Sequence, residues 1–188
     1  TYHCANGEVH TLQNMAQALD NSCNLWFIQA AQTLQPTVFY DYIRAFGFTQ
    51  PTGVDLPSET RWTSVYNAQQ MAEVDTNLYT AAFGQNEAIT PMQMATAIAA
   101  IANGGYLVTP YIVDSITDDA GNIISQTDTS VRRQVISEEV SQEILSMMEN
   151  NVDPNGTLSI RHSCKNAYVA GYRIGGKSGT AERTDRHL

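Results

Sequence analysis

The segment TPMQMATAIAAIANGG, residues 90–105, is the strongest secondary-structure signal in the chain. Thr90 is a favourable N-cap, Pro91 suits the first helical position, and Gln93 stands where a capping box needs it. Gly104 and Gly105 follow the last apolar residues, and glycine readily ends a helix. The segment therefore predicts a helix that begins at Pro91 and ends before the glycine pair.

Strands dominate the predicted structure after this helix. YLVTPYIV at 106–113 is rich in β-forming residues, although Pro110 limits it to a sheet edge or a bend. The DDAGN sequence at 118–122 indicates a turn between strands, and Ser137 is a good N-cap for one more helix. The predicted strand regions are about 106–135 and 168–182, with a helical region at about 137–150.

Helices dominate the chain before the glycine pair. Leu12, Met15 and Leu19 are spaced as on one face of a helix. Pro36 suits the start of another helix, which Gly47 ends. The helical region covers about 1–105, with helices at 11–20, 24–34 and 36–46 and an ordered loop at 49–65. Because helices come first and strands later, the sequence predicts an α+β fold.

The composition limits the size and the partners of the protein. The 188 residues are 43% apolar, which is enough for a single domain, predicted over 1–188, with its own core. The net charge of −9 argues against a nucleic-acid binder, which needs a basic face. No apolar run approaches the about 20 residues that span a bilayer. Nucleic acid is therefore not an expected partner.

Cysteine usage suggests neither a disulfide scaffold nor a metal site. Cys4, Cys23 and Cys164 fit either three free thiols or one bridge with one thiol left over. His3 and His10 lie close to Cys4 in the sequence, but the spacing lacks the paired pattern of a zinc finger. We predict no metal ion and no cofactor.

GGKSGTAE at 175–182 carries the first chemical signal. Lys177 stands among small residues, and Ser178 and Thr180 place hydroxyls beside its charge, which suits a carboxylate ligand. Glycines such as Gly179 let a ligand approach the backbone closely. On its own the segment also fits an ordinary polar loop.

Ser22-Cys23-Asn24 is the second chemical signal, and it lies in the break between two predicted helices. A serine hydroxyl can relay a proton, and an asparagine amide can both donate to and accept from a peptide-like substrate. By itself, Ser-x-Asn is equally typical of helix capping. The two signals gain meaning only together.

In this order the two motifs resemble two of the three signatures of penicillin-binding proteins and serine β-lactamases. The whole chain is similar to the transpeptidase domain of class B penicillin-binding proteins of the septal or sporulation type. The similar stretches are AFGFTQPTGVDLPSE (45–59), FGQNEAITPMQMATAIAAIANGG (83–105) and KNAYVAGYRIGGKSGTAE (165–182). The resemblance implies the penicillin-binding/β-lactamase-like fold, with a helical subdomain and part of an antiparallel sheet.

The resemblance also implies roles for the motif residues. Ser22 would pass a proton towards the leaving group, with Lys177 hydrogen-bonded beside it, and Asn24 would hold a substrate amide. Ser178, Gly179 and Thr180 would bind the substrate, the two hydroxyls taking its terminal carboxylate. The Thr180 N–H would form half of an oxyanion hole.

The family's nucleophile is absent from these residues. It is the serine of a Ser-x-x-Lys pattern, and the only two lysines, Lys165 and Lys177, have His162 and Ile174 three residues before them. We therefore expect an internal fragment of the domain, truncated at both ends, that is inactive alone. The resemblance also places Cys4 on the same side of the site as Cys23, so this pair could be a redox-sensitive disulfide or two buried thiols.

The reaction that the resemblance implies is the cross-linking of peptidoglycan. A serine acyl-enzyme forms on stem peptides that end in D-Ala-D-Ala, and β-lactam antibiotics acylate the same serine. The expected location is the extracytoplasmic face of the bacterial cytoplasmic membrane, with the anchor outside this sequence and with division or spore-wall proteins as partners. The alternatives are a relative of serine β-lactamases and a non-catalytic scaffold or sensor module.

Overall fold

The computed structural model describes residues 2–4, 7–60 and 63–179, which form an α+β arrangement as predicted. The helices are α1 (Met15–Asp20), α2 (Asn24–Gln32), α3 (Pro36–Ala45), α4 (Ala68–Glu73), α5 (Asp75–Ala82), α6 (Pro91–Ala102) and α7 (Glu138–Asn150). The strands are β1 (Tyr106–Val108), β2 (Ser115–Thr117), β3 (Ile123–Gln126) and β4 (Val131–Gln134). Among these described helices, none has the length and apolar character needed to cross a membrane.

The chain divides into two compact units. The first comprises Thr1–Tyr40, Tyr66–Glu87 and Gln142–Leu188, and the second comprises Asp41–Val65 and Ala88–Ser141. Every predicted site residue that the structure describes falls in the first unit. A single domain over the whole chain stays a prediction.

Two helices of the first unit, α1 and α4, begin at polar capping residues. Asn14 caps α1 and Asn67 caps α4, and in each case a glutamine three residues later completes a capping box. The helix predicted at 11–20 therefore starts at Met15, since Asn14 ends the preceding extended chain. α2 packs against α5. A buried cluster beside α2 consists of Cys4, Ala18 and Cys23, with Trp26 packed against it.

Helix α6 organises the second unit and lies where the sequence predicted it. Thr90 caps it, and Gln93 completes the capping box. Gln93 is 2% exposed, and its Nε2 donates to the Gln50 carbonyl at 2.8 Å and the Gly47 carbonyl at 3.3 Å. Because its Oε1 accepts from Thr90 N–H at 2.8 Å, both ends of one buried amide are satisfied.

The glycine pair after α6 leads into the first of two separate two-stranded antiparallel sheets. β1 pairs with β4, and β2 pairs with β3 through the predicted turn at 118–122. Gly105 has φ +94°, and a Cβ on it would stand 2.0 Å from the Ile136 carbonyl oxygen. Only glycine fits there, so the second glycine after α6 allows the close approach of the chain after β4.

The strand predicted over 168–182 is absent from its described part, residues 168–179. A strand requires backbone hydrogen bonds to a neighbouring strand. The backbone of this segment is instead hydrogen-bonded to the end of α7, where Gly176 N–H donates to the Met148 carbonyl at 3.0 Å. Residues 180–182 lie outside the described residues. The motif that carries Lys177 is therefore held by a helix end rather than by a sheet.

Candidate active site

The loop after α1 holds Ser22 in a left-handed conformation. Ser22 N–H donates to the Leu19 carbonyl at 3.2 Å, and Cys23 N–H donates to the Ala18 carbonyl at 3.0 Å. This is the hydrogen-bond pattern of a Schellman helix end, whose left-handed residue is usually glycine. Ser22 has φ +51°, a conformation that costs a residue with a Cβ about 1–2 kcal/mol. The loop is therefore strained at the residue that displays the hydroxyl.

Lys177 lies beside that hydroxyl, although 155 positions separate the two residues. Its Nζ donates to Ser22 Oγ at 2.9 Å, to the Ser178 carbonyl at 2.7 Å and to Ser178 Oγ at 3.4 Å. An ammonium group has three N–H donors, and these three acceptors use all of them. Ser22 Oγ accepts from Lys177, so its own O–H remains available to donate to a ligand.

The environment of Lys177 makes its charged form less stable than that of a surface lysine. Burial lowers the pKa of Lys177, whereas the nearby Cys164 and Asp20 favour the charged form and Arg161 opposes it. A half-buried amine with a lowered pKa gives up its proton more readily than a surface lysine does. The pair is thus suited to proton transfer as well as to anion binding.

Two glycines let the Lys177 segment pack against the end of α7. A Cβ on Gly175 would stand 3.1 Å from Met148 Cβ, and one on Gly176 would stand 3.1 Å from Val152 Cγ2. Both distances are shorter than ordinary van der Waals contact. At Gly179, by contrast, no described atom lies within 4 Å of the position that a Cβ would take. The glycines before Lys177 serve packing, and the one after it faces open space.

Asn151 fixes the same segment from the other side. It is fully buried, and its Nδ2 donates to the Gly176 carbonyl at 3.1 Å. The backbone carbonyl of Asn151 accepts a hydrogen bond from Cys164 N–H at 2.8 Å. Asn151 therefore joins the chain at 164 to the chain just before Lys177.

Asp20 anchors the Ser22 loop to the segment 159–163. Its carboxylate is 1% exposed and accepts from the Ser159 hydroxyl and from three backbone N–H groups at 2.7–3.1 Å, those of Arg161, His162 and Ser163. Burial alone would raise the pKa of Asp20, but these hydrogen bonds outweigh it and lower the pKa. Sequence reasoning missed Asp20, since one acidic residue at a helix end carries no signal before its partners are known.

The remaining predicted site residues lie close to this pair or outside the described chain. Asn24 is the first residue of α2, and its Nδ2 donates to the His3 carbonyl at 3.0 Å. Ser178 and Gly179 are exposed next to Lys177. Thr180 lies outside the described residues. The structure thus brings Ser22, Lys177 and Ser178 together and gives the Asn24 amide donor a backbone partner.

Cys4 and Cys23 meet beneath the Ser22 loop as free thiols. They are 5% and 3% exposed, and their sulfurs lie 3.6 Å apart. Burial raises the pKa of the Cys23 thiol, and the neighbouring Cys4 adds to this. His10 joins them: one of its ring nitrogens and the two sulfurs all lie within 4.8 Å of one another.

Comparison with known proteins identifies the family. Residues 3–187 match the family model described as "Penicillin binding protein transpeptidase domain". The match covers almost the whole chain, so the chain belongs to this family, which confirms the prediction from the two motifs. No residue role follows from the match itself.

Two curated relatives illustrate the sequence similarity. The chain is 36% identical over 178 residues to "Stage V sporulation protein D" of Bacillus subtilis, which covers 93% of this chain and 26% of that protein. It is 31% identical over 183 residues to "Peptidoglycan D,D-transpeptidase FtsI homolog" of Mesostigma viride. This alignment covers 90% of this chain and 29% of that protein. The chain therefore spans little more than a quarter of the length of these relatives.

Solved structures support the fold. Penicillin binding protein 3 from Mycobacterium tuberculosis, complexed with aztreonam, matches with a TM-score of 0.85 at 27% identity, over 98% of this chain and 40% of that chain. The D,D-transpeptidase domain of a peptidoglycan glycosyltransferase from Eggerthella lenta matches with a TM-score of 0.80 over 96% and 44%; at 24% identity this shows the fold alone. The predicted transpeptidase fold is confirmed.

The strain at Ser22 predicts a difference between two substitutions of the same residue. Ser22→Gly and Ser22→Ala both remove the hydroxyl, but only glycine relieves the left-handed conformation. We expect Ser22→Gly to be more stable than Ser22→Ala by about 1 kcal/mol, measured by thermal unfolding. Ser58, which has φ +65°, provides the same pair of substitutions as a control away from this loop. Equal stability of the two Ser22 variants would show that the loop is not strained.

The buried carboxylate predicts a pH-dependent loss of stability. Asp20→Asn should destabilise the protein by about 1.5–3 kcal/mol at pH 7, because it removes a charged hydrogen-bond acceptor. The pKa of Asp20 is lowered on folding from an unfolded value of about 3.9, so its contribution is present above about pH 4 and is lost as the pH falls through the folded value. The difference in the free energy of unfolding between wild type and Asp20→Asn should therefore become smaller towards pH 3.

The measurement is unfolding of both proteins between pH 7 and pH 3. The exposed Asp119 in the turn between β2 and β3 supplies the control substitution, Asp119→Asn, which should change stability little at any pH. A gap for Asp20→Asn that stays constant down to pH 3 would contradict the hydrogen-bonded, ionised state.

Proposed function

We propose that this chain is part of a serine D,D-transpeptidase that cross-links peptidoglycan stem peptides through an acyl-enzyme. The observation that carries the proposal is the 2.9 Å hydrogen bond from Lys177 Nζ to Ser22 Oγ. It joins the two motifs that the family resemblance selected, and it leaves one hydroxyl proton free to transfer. Family membership and the transpeptidase fold support the same reaction.

In the proposed mechanism Ser22 relays a proton to the leaving group. When the acyl bond of the terminal D-Ala-D-Ala unit breaks, the departing amine needs a proton, and general acid catalysis of this kind contributes about 10²–10⁴-fold. Ser22 Oγ donates its proton to that nitrogen, while Lys177 replaces it from its own ammonium group. The lowered pKa of Lys177 favours this second transfer.

Lys177 and its neighbours would also bind the substrate. Ser178 Oγ is exposed and lies 3.4 Å from the Lys177 ammonium, a hydroxyl beside a positive charge that suits the terminal carboxylate of a stem peptide. Thr180 would add a second hydroxyl and an oxyanion-hole N–H, and the open space at Gly179 would admit the peptide backbone. Asn24 would orient the substrate amide once it exchanges its present bond to the His3 carbonyl.

The nucleophile in this proposal comes from outside the 188 residues, which contain no Ser-x-x-Lys pattern. β-Lactams would acylate that serine in place of the stem peptide. Two related structures hold such compounds, since penicillin binding protein 3 of Mycobacterium tuberculosis was solved with aztreonam and with ampicillin. The protein would be a membrane-anchored acyltransferase at the extracytoplasmic face, with division or spore-wall proteins as partners.

Two other functions remain distinguishable by experiment. A serine β-lactamase would share the motifs but would release its acyl group quickly, so a slow deacylation rate favours the transpeptidase. A scaffold or sensor module would lack the nucleophile in the complete protein. The gene sequence before Thr1 therefore tests the enzymatic proposal directly, because a Ser-x-x-Lys pattern there is required.

Replacement of Lys177 tests the site. In the full-length protein, Lys177→Ala should slow acylation by a fluorescent penicillin by at least about 100-fold, because it removes the proton source and the carboxylate's counter-charge. The control is Lys165→Ala, which removes the other lysine of the sequence, an exposed residue in a 3₁₀ turn at Lys165–Ala167. Unchanged labelling of Lys177→Ala would refute the assignment, and slowed labelling of Lys165→Ala would point to a general effect of charge.

We also propose that Cys4 and Cys23 form a disulfide in oxidising surroundings, supported by their 3.6 Å separation. The pair would lose two protons and two electrons to an oxidant such as oxidised glutathione, and the sulfurs would close to about 2.0 Å. Peptide mass mapping after such oxidation should find Cys4 linked to Cys23 and Cys164 unlinked. Three free thiols after oxidation would exclude the bridge.

A further inference from the structure

The residues Cys4, His10 and Cys23 form a cluster of soft metal-ligand groups that the transpeptidase reaction does not use. Their ligand atoms all lie within 4.8 Å of one another. Both sulfurs are buried, and the His10 side chain is only 13% exposed. The sequence spacing of these residues argued against a metal site, but the fold brings them to one point.

We infer that Cys4, Cys23 and His10 bind a zinc-class divalent cation when both thiols are reduced. Two zinc–sulfur bonds of about 2.3 Å at the tetrahedral angle place their sulfurs about 3.8 Å apart. The observed 3.6 Å matches this separation without rearrangement of either cysteine. The histidine nitrogen reaches bonding distance after a side-chain adjustment on the order of 1 Å.

The two nitrogens of His10 are in different environments, as in known zinc-binding histidines. Nε2 lies 3.3 Å from Glu8 Oε2, and Glu8 in turn accepts from Arg161 at 2.8 Å. Nδ1 is buried and has no hydrogen-bond partner among the described residues. A carboxylate on one ring nitrogen fixes the proton there and leaves the lone pair of the other for a metal ion. We therefore assign Nδ1 as the ligand atom.

The surroundings provide what such a site requires. Ala18 and Trp26 give the sulfurs an apolar lining, while His10 also borders an open cavity of about 260 Å³ through which an ion can enter. On binding, the two thiols release their protons to solvent and coordinate as thiolates. Three protein ligands leave the fourth tetrahedral position for water.

The position of the site links it to the Ser22 loop. Cys23 stands between Ser22 and Asn24, so a bound ion would tie this loop and the first turn of α2 to the chain at 4–10. A disulfide and a metal ion need the same two sulfurs and exclude each other. The ion would therefore hold the loop in the reduced protein and protect the pair from oxidation.

Cobalt binding tests the inference. The full-length protein that contains this sequence is reduced, freed of metal and titrated with Co²⁺ without oxygen. We expect a thiolate-to-cobalt charge-transfer band and the intense visible bands of tetrahedral cobalt, both displaced by Zn²⁺. Cys4→Ala and Cys23→Ala should each abolish the charge-transfer signal of this site, whereas Cys164→Ala should retain it in full.

The histidine and its carboxylate are tested with milder changes that keep the buried sulfurs. Glu8→Gln should weaken Co²⁺ binding about 10–100-fold, as removal of a second-layer partner does elsewhere. His10→Gln should abolish the tetrahedral spectrum, and the exposed His3 supplies the matched control, His3→Gln. Circular dichroism verifies the fold of each variant.

Three outcomes would overturn the inference. They are the absence of a charge-transfer band in the folded wild-type protein, a band that survives in both Cys4→Ala and Cys23→Ala, and a band that Cys164→Ala removes. The readout needs no penicillin, so its failure leaves the transpeptidase proposal untouched. Equally, a protein that fails to be acylated could still bind cobalt.

Discussion

The buried Asp20 carboxylate holds together the two chain segments from which the site is built. It accepts four hydrogen bonds from the segment 159–163, so the end of α1 cannot move without that segment. Ser22, two residues after Asp20, is therefore held in place. A closed path of hydrogen bonds then runs from the segment through Cys164, Asn151 and Gly176 to Lys177, and from Lys177 back to Ser22.

This path explains why strain is tolerated at Ser22. Glycine would suit the left-handed position better, but glycine has no hydroxyl to meet the ammonium of Lys177. The hydrogen bonds around Asp20 offset the conformational free energy that the left-handed Ser22 costs. They hold the loop in this conformation although Ser22 itself does not favour it. Strained residues of this kind persist where the surrounding structure over-determines them, and functional sites are where they concentrate.

Two groups of reactive side chains meet at one short loop. Ser22 presents a hydroxyl to Lys177, while the next residue, Cys23, turns its sulfur towards Cys4 and His10. The proposed disulfide or metal ion would therefore act on the first turn of α2 and on the loop before it. The Ser-x-Asn motif thus contributes one residue to the Ser22–Lys177 pair and the next residue to the cluster of Cys4, His10 and Cys23.

The amino-acid sequence alone predicts the features that depend on neighbours along the chain. Helix α6 lies where Thr90, Pro91 and Gln93 placed it, because capping is a matter of residues three or four apart. The two motifs and their family were likewise readable, since short patterns and their order survive without knowledge of the fold. The strand predicted over 168–182 was not found in its described part, because β-forming residues make a strand only when a partner supplies the other half of the ladder.

Which distant groups meet is known only from the folded chain. Asp20 and Asn151 are ordinary polar residues until their partners 139 and 25 positions away are known. Cys4, His10 and Cys23 lack any recognisable metal-site spacing, yet they converge on one point. The physical reason is common to all of them: a hydrogen bond or a coordination bond depends on distance in space, and the spacing of residues along the chain fixes that distance only within a single helix or turn.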